Sequence, residues 1–227
     1  MQQVRAGLAS HGMAWFAREQ TAGKGQRGKS WETQPGKNIA FSIALESVEL
    51  PASQQFYLSM AVALGCYDLF SRYAGTDTKI KWPNDLYWRD RKAGGVLIET
   101  IYHGRELKWV VVGIGININQ EDFDNNLKNP VSLKQVTGEE HDVLKLTKEL
   151  HHIILKKIKE LNKDTAKELL KEYNQHLYKL NEKVMLKKGE TTFEAVIKEV
   201  NARGQLIITG ADKTELDFGE VEWIGDG

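Results

Sequence analysis

Gly23-Lys24-Gly25-Gln26-Arg27-Gly28-Lys29-Ser30 matches G-x-x-x-x-G-K-[ST] letter for letter and contains G-x-G-x-x-G as well. Both patterns hold phosphate only where a helix begins at the last glycine, because the helix N-terminus supplies the aligned N–H groups. Here Trp31-Glu32-Thr33-Gln34 runs straight into Pro35-Gly36, a pair that stops any helix within about a turn and a half. A P-loop fold and a doubly wound dinucleotide fold are therefore both set aside. What remains is the chemistry they share: glycines let backbone approach an anion, and Lys24, Arg27 and Lys29 concentrate positive charge. A solvated basic turn is the plain alternative.

Beyond this stretch the hydrophobic pattern reads as α+β. Lys37 to Leu45 is an apolar strand launched from the Pro35-Gly36 turn. Ser53 caps a core-facing helix on which Phe56, Met60, Ala63, Leu64, Tyr67 and Phe70 recur at helical spacing. Gly94 to Ile101 and Lys108 to Ile118 are β-branched runs about the turn His103-Gly104-Arg105, hence paired antiparallel strands central to one sheet. Leu146, Leu150, Ile153, Ile154, Ile158 and Leu161 form a second helical stripe, and Thr165 with Glu168 predicts a capping box opening a third helix through Tyr173. After about Leu177 come five short strands: Lys183 to Leu186, Thr192 to Val200, Gln205 to Thr209, Glu215 to Phe218 and Val221 to Trp223. Their close spacing predicts a small barrel. The expected division is 1–177 and 178–227.

A chain of 227 residues buries about 70–75% of its unfolded surface, enough for a core without disulfides or metals. Lys+Arg and Asp+Glu both total 31, so no global field draws the chain to nucleic acid or an anionic membrane. The single cysteine, Cys66, lies in apolar context and reads as a buried thiol of a reducing compartment. No signal segment opens the chain and no run approaches the ~18 apolar residues of a membrane span, so the expected location is cytoplasmic.

Three motifs together resemble the biotin protein ligases, the biotin–[acetyl-CoA-carboxylase] ligases, in a short form without an N-terminal DNA-binding domain. Gln20-Thr21-Ala22-Gly23 through Trp31, then Pro35-Gly36-Lys37-Asn38, is similar to the family's glycine-rich biotinoyl-adenylate loop. Lys81-Trp82-Pro83-Asn84-Asp85 followed by Lys92-Ala93-Gly94-Gly95-Val96-Leu97 resembles the second motif, and Gly113-Ile114-Gly115-Ile116-Asn117-Ile118-Asn119 the third. The resemblance covers essentially the whole chain. It implies a mixed, largely antiparallel sheet flanked by helices, of the class II synthetase and biotin ligase type, followed by a small SH3-like barrel.

The resemblance also implies a reaction and its residues. ATP adenylates biotin, and the biotinyl group passes to a lysine of a biotin carboxyl carrier protein. Lys92 contacts the biotin carboxylate and the phosphate, with Asp85 and Arg27 as its catalytic companions. Asp85 has three candidate roles: positioning Lys92, the metal or the acceptor amine. Gln20 pairs with the ureido group, since a primary amide both donates and accepts. Gly23, Gly25, Gly94 and Gly95 line the biotin pocket. Lys24, Gln26, Arg27, Gly28, Trp31, Asn84 and Asn117 face the nucleotide, with Trp31 over the adenine. Mg²⁺ accompanies ATP, with no fixed protein metal site. Relatives of this kind commonly pair through sheet edges, which implies a homodimer. Read without the resemblance, Lys92 is a surface lysine, Gln20 a loop glutamine and Trp31 a core tryptophan.

The chain departs from the family pattern in three ways. Lys24 and Gln26 stand where many relatives carry arginine, so Arg27 is the loop's sole guanidinium. No winged helix-turn-helix precedes the motifs, so sequence-specific DNA binding is not expected. The Ser-Thr-Asn segment expected upstream is missing, and Met1 to Leu8 reads as an uncapped helix already in progress. The expectation is an internal Met1, an exposed sheet edge and weak biotin binding. Two other readings are a non-catalytic biotin- or adenylate-binding protein and a lipoate ligase, although no lipoate-type arginine-glycine signature is present.

Overall fold

The computed structural model describes residues 1–25, 31, 33–46, 55–104 and 106–225. In chain order they form α1 (Gln2–Arg5), β1 (Ala14–Phe16), β2 (Asn38–Glu46), α2 (Gln55–Ala74), β3 (Thr78–Lys81), β4 (Asp85–Trp88), β5 (Arg91–His103), β6 (Glu106–Asn117), α3 (Leu133–Thr137), α4 (Val143–Glu160), α5 (Lys163–Gln175) and five short strands: β7 (Lys183–Lys188), β8 (Thr191–Val200), β9 (Leu206–Thr209), β10 (Glu215–Leu216) and β11 (Glu222–Ile224). The first sheet runs β1-β2-β6-β5-β4-β3 and the second β10-β9-β8-β7-β11. Every ladder between named strands is antiparallel; parallel pairing occurs as isolated bridges such as Lys92 with Pro130.

Alternation along β6 sets the two faces of the first sheet. Val110, Val112, Ile114 and Ile116 join Ile39, Phe41, Ile43 and Leu45 of β2 and residues of α2 and α4 in the main core. Val111, Gly113, Gly115 and Asn117 therefore face the other way. There, Val4 of α1 packs with Ala44 and Val111 at one end of the sheet. The short α1 has no side-chain cap. β1 is the outer strand beside β2.

α2 is buried on two sides, not one. Leu58, Val62, Cys66 and Phe70 enter the main core, whereas Tyr57, Met60 and Leu64 enter a second core with Tyr173, Val184, Leu186, Ile197, Leu206 and Ile208. Residues on both sides of position 177 thus share one apolar interior. Burial, helped by the nearby Asp68, pushes the Cys66 thiol up to about 12, so it stays protonated. The predicted Ser53 cap and Arg105 lie outside the described residues.

The capping box of α5 corrects the reading from Thr165 and Glu168. Asn162 is the N-cap: its side-chain oxygen accepts from the N–H groups of Asp164 and Thr165, and the Thr165 hydroxyl accepts from the Asn162 N–H. Extended backbone at Asn162 (φ −145°) sets the boundary three residues earlier. In α4, Asp142 caps through Lys145 N–H, and Leu161 falls just past the helix end.

In the second sheet, Glu220 is held by Lys188, Lys213 and the backbone N–H of Asp217, which pull its carboxyl from near 4.5 down to about 2. The depressed value means that its stabilising contribution is complete above about 4.5 and is lost as pH falls through about 2. Thermal melts between pH 5 and 2 should show a steeper acid decline for the wild type than for Glu220→Gln. Parallel declines would contradict this.

Candidate functional site

The site begins at the hairpin joining β3 to β4, whose turn is Trp82-Pro83-Asn84. Each turn residue is held from outside the hairpin. Trp82 Nε1 donates to the carbonyl of Gly204 at 2.9 Å, Tyr173 Oη donates to the carbonyl of Pro83 at 2.7 Å, and Asn84 Nδ2 donates to the carbonyl of Val96 at 2.7 Å. Burial, with the Asp85 carboxylate nearby, pushes the Tyr173 phenol above its ordinary value, so it remains a donor throughout the working pH range. The hairpin delivers Asp85 at the head of β4.

A register shift then assembles the charged pair. Asp85 opposes Gly95 and Leu86 opposes Gly94, yet Tyr87 opposes Lys92, leaving Ala93 as the extra residue of a bulge. In a regular strand, residues 92 and 95 point to opposite faces; the bulge brings both to the face of Asp85. Lys92 Nζ lies 2.6 Å from Asp85 Oδ2, with the two side chains 34% and 32% exposed. A Cβ at Gly95 would meet Asp85 Oδ1 at 2.9 Å and Lys92 Nζ at 3.6 Å.

The backbone of Lys92 is clamped by a segment that the sequence did not mark. Its N–H donates to Asn129 O at 2.9 Å, and its carbonyl accepts from Val131 N at 2.9 Å. Arg91 donates to Pro130 O at 2.6 Å. Asn117 Nδ2 donates to Val131 O at 3.1 Å and Lys92 O at 3.5 Å, main chain that lies behind Lys92.

Beside the ion pair lies a floor of glycines, with Ala40, Ser42 and Leu97 beside them. Gly95 opposes Gly115, which opposes Ala40; Leu97 opposes Gly113, which opposes Ser42. Trp31 lies over this floor: a Cβ at Gly115 would meet its indole Cε2 at 2.4 Å. The loop is drawn together by Trp31 N–H donating to Gly23 O at 2.9 Å, and a Cβ at Gly23 would meet Trp31 O at 2.1 Å and Gln20 Oε1 at 2.9 Å. Gln20, Gly23, Trp31, Gly115, Gly95, Asp85 and Lys92 thus form one continuous surface. Lys24 is exposed and Gly25 half-buried on the same loop. Gly94 is not brought to this face; it packs against Ile116 on the helix side. Gln26, Arg27 and Gly28 lie outside the described residues.

Two buried polar atoms near the site have no hydrogen-bond partner among the described residues: the donor Trp31 Nε1 and the acceptor Asn84 Oδ1. Buried polar groups are rarely left unpaired, and their presence here fits a polar ligand. Among the described residues no group of three or more His, Cys, Asp or Glu could hold a metal ion, and no helix is long and apolar enough to cross a membrane.

Comparison with known proteins identifies the family and the fold. The model of the Biotin/lipoate A/B protein ligase family matches residues 2–117. The bifunctional ligase/repressor BirA of Bacillus spizizenii is 35% identical over 137 residues, 59% of this chain and 42% of that protein. The biotin–[acetyl-CoA-carboxylase] ligase of Paracoccus denitrificans is 36% identical over 136 residues, 56% of this chain and 55% of that protein. The matches thus span about half the length of these relatives. Among solved structures, the biotin protein ligase of Aquifex aeolicus in complex with biotin and ATP superposes with a TM-score of 0.81 at 26% identity, covering 95% of this chain and 90% of that one. With more than half its length inside the family model, the glycine-floored site included, this chain belongs to the biotin/lipoate A/B protein ligase family.

Proposed function

We propose that the chain ligates biotin to a lysine of a biotin carboxyl carrier protein in two steps. A biotin carboxylate oxygen attacks the α-phosphorus of ATP and pyrophosphate leaves. The carrier amine then attacks the acyl carbon of biotinyl-5′-AMP, loses a proton, and AMP leaves. The observation that carries the reading is the Lys92–Asp85 pair set beside a glycine floor under Trp31.

The first step sets two anions together, and unit charges about 4 Å apart repel by about 4 kcal/mol at an effective dielectric near 20. Lys92 supplies the compensating cation where charge builds up. Asp85, hydrogen-bonded to Lys92, serves to aim it. The floor of Gly95, Gly113 and Gly115 accepts flat groups at close range, and Trp31 covers the adenine. Gln20, beside Gly23, pairs with the ureido group, and Lys24 with Arg27 attracts phosphate. Asn84 contributes its unpaired carbonyl as an acceptor, and Asn117 acts by keeping the Lys92 backbone in place. Mg²⁺, when bound with the nucleotide phosphates, would screen their charge. Residues 1–177 form the catalytic part and 178–227 a small C-terminal domain; the setting is cytoplasmic, and two copies pair through a sheet edge.

Pyrophosphate exchange into ATP that requires biotin is the test, followed by transfer of labelled biotin to a carrier domain. Thermal stabilisation by biotin without exchange would favour a binding protein, and faster exchange with lipoate would favour a lipoate ligase.

A further inference from the structure

Lys81 is a charged residue in an interior position, only 7% exposed at the end of β3. Its ammonium donates to Tyr87 Oη at 3.3 Å and stands over three rings: Tyr87 at 4.7 Å, Trp223 at 4.9 Å and Tyr178 at 5.5 Å from the centroids. The rings brace one another, with Tyr87 and Tyr178 centroids 5.0 Å apart and Tyr178 and Trp223 6.0 Å apart. Tyr178 Oη donates to Asp90 Oδ1 at 2.7 Å, and Lys179 pairs with the same carboxylate at 2.8 Å. A desolvated cation needs such surroundings, because aromatic faces and a hydroxyl replace the water it has lost.

The position of this cage gives it a task. Lys81 and Asp85 are opposed residues at the base of the hairpin, so whatever fixes Lys81 fixes the starting point of the Asp85 side chain. The turn between them is already tied to Gly204 and Tyr173, and the cage adds Trp223 of β11. We propose that Lys81 is a positioning residue for adenylation: caged by Tyr87, Tyr178 and Trp223, it holds the hairpin base so that Asp85 aims Lys92 at the reacting carboxylate and phosphate. Through Trp223, the seating of the second sheet becomes a condition of the aim. The proposal rests on the ligase reading above.

The test compares Lys81→Met, Lys81→Arg and Trp223→Leu with wild type in biotin-dependent pyrophosphate exchange, each rate normalised to active sites titrated by single-turnover adenylate formation. Methionine keeps length but removes the charge that the cage grips. Its kcat is expected to fall about tenfold with KM for biotin and ATP within about twofold, as small misplacements of a catalytic group do. Lys81→Arg, which keeps a cation against the rings, is expected to recover at least about half of the wild-type kcat. Wild-type kcat in folded Lys81→Met, or an arginine variant as slow as the methionine one at equal melting temperature, would overturn the proposal. Should Lys81→Met not fold, Trp223→Leu carries the test: a similar fall in kcat at unchanged KM is expected, and an unchanged kcat overturns it. A wild-type protein without biotin-dependent exchange would overturn the ligase reading and this proposal with it.

Discussion

Lys92→Ala is expected to lower biotin-dependent pyrophosphate exchange by roughly 10²–10³, the scale on which one preorganised charge-stabilising group acts. Two effects add. The cation that offsets the meeting of carboxylate and phosphate disappears, and Asp85, whose ion pair is with Lys92, is left as an uncompensated carboxylate beside two further anions. The fold should survive, because the clamp on residue 92 uses its main-chain N–H and carbonyl alone, and the side chain is one third exposed. A melting temperature within a few degrees of wild type should therefore accompany the loss of rate. Near-wild-type exchange in the folded variant would remove Lys92 from the chemistry.

Gly115→Ala should be nearly as damaging through a single methyl group. The new Cβ would stand 2.4 Å from Trp31 Cε2 and 2.6 Å from its Nε1, well inside contact distance, on a central strand that is hydrogen-bonded on both sides. The sheet cannot yield, so the indole must leave the floor, and with it goes the cover expected over the adenine. A fall in exchange of about 10² follows from misplacement of that size. It should appear mainly as weaker ATP binding in titrations, together with a changed tryptophan emission in the free protein. Unaltered ATP affinity in the variant would mean that Trp31 does not cover the nucleotide.

Much of this molecule was legible in one dimension. The apolar runs at 37–45, 94–101 and 108–118 became β2, β5 and β6, the stripes from Phe56 and Leu146 became α2 and α4, and the short strands after Leu177 became a second sheet. These succeed because strand and helix periods are local properties, set by where successive Cβ atoms point. The Pro35-Gly36 stop likewise acts locally, and it alone removed two nucleotide-binding folds from consideration.

The site was legible as motifs but not as an arrangement. Residues 92 and 95 are an odd number apart and read as facing opposite ways; one unpaired residue, Ala93, turns both toward Asp85. Gly94, in the middle of the same motif, goes to the core for the same reason. Asn117 carries the expected identity, and its Nδ2 donates to Val131 and Lys92 carbonyls that only folding brings near. The cage around Lys81 joins positions 81, 87, 178 and 223, and no spacing rule connects them. Residue type and local periodicity therefore determined the elements and the chemistry available. Register, bulge and the packing of the second sheet against the hairpin decided which groups meet, because those depend on pairings between distant segments whose energies are settled only when the whole core closes.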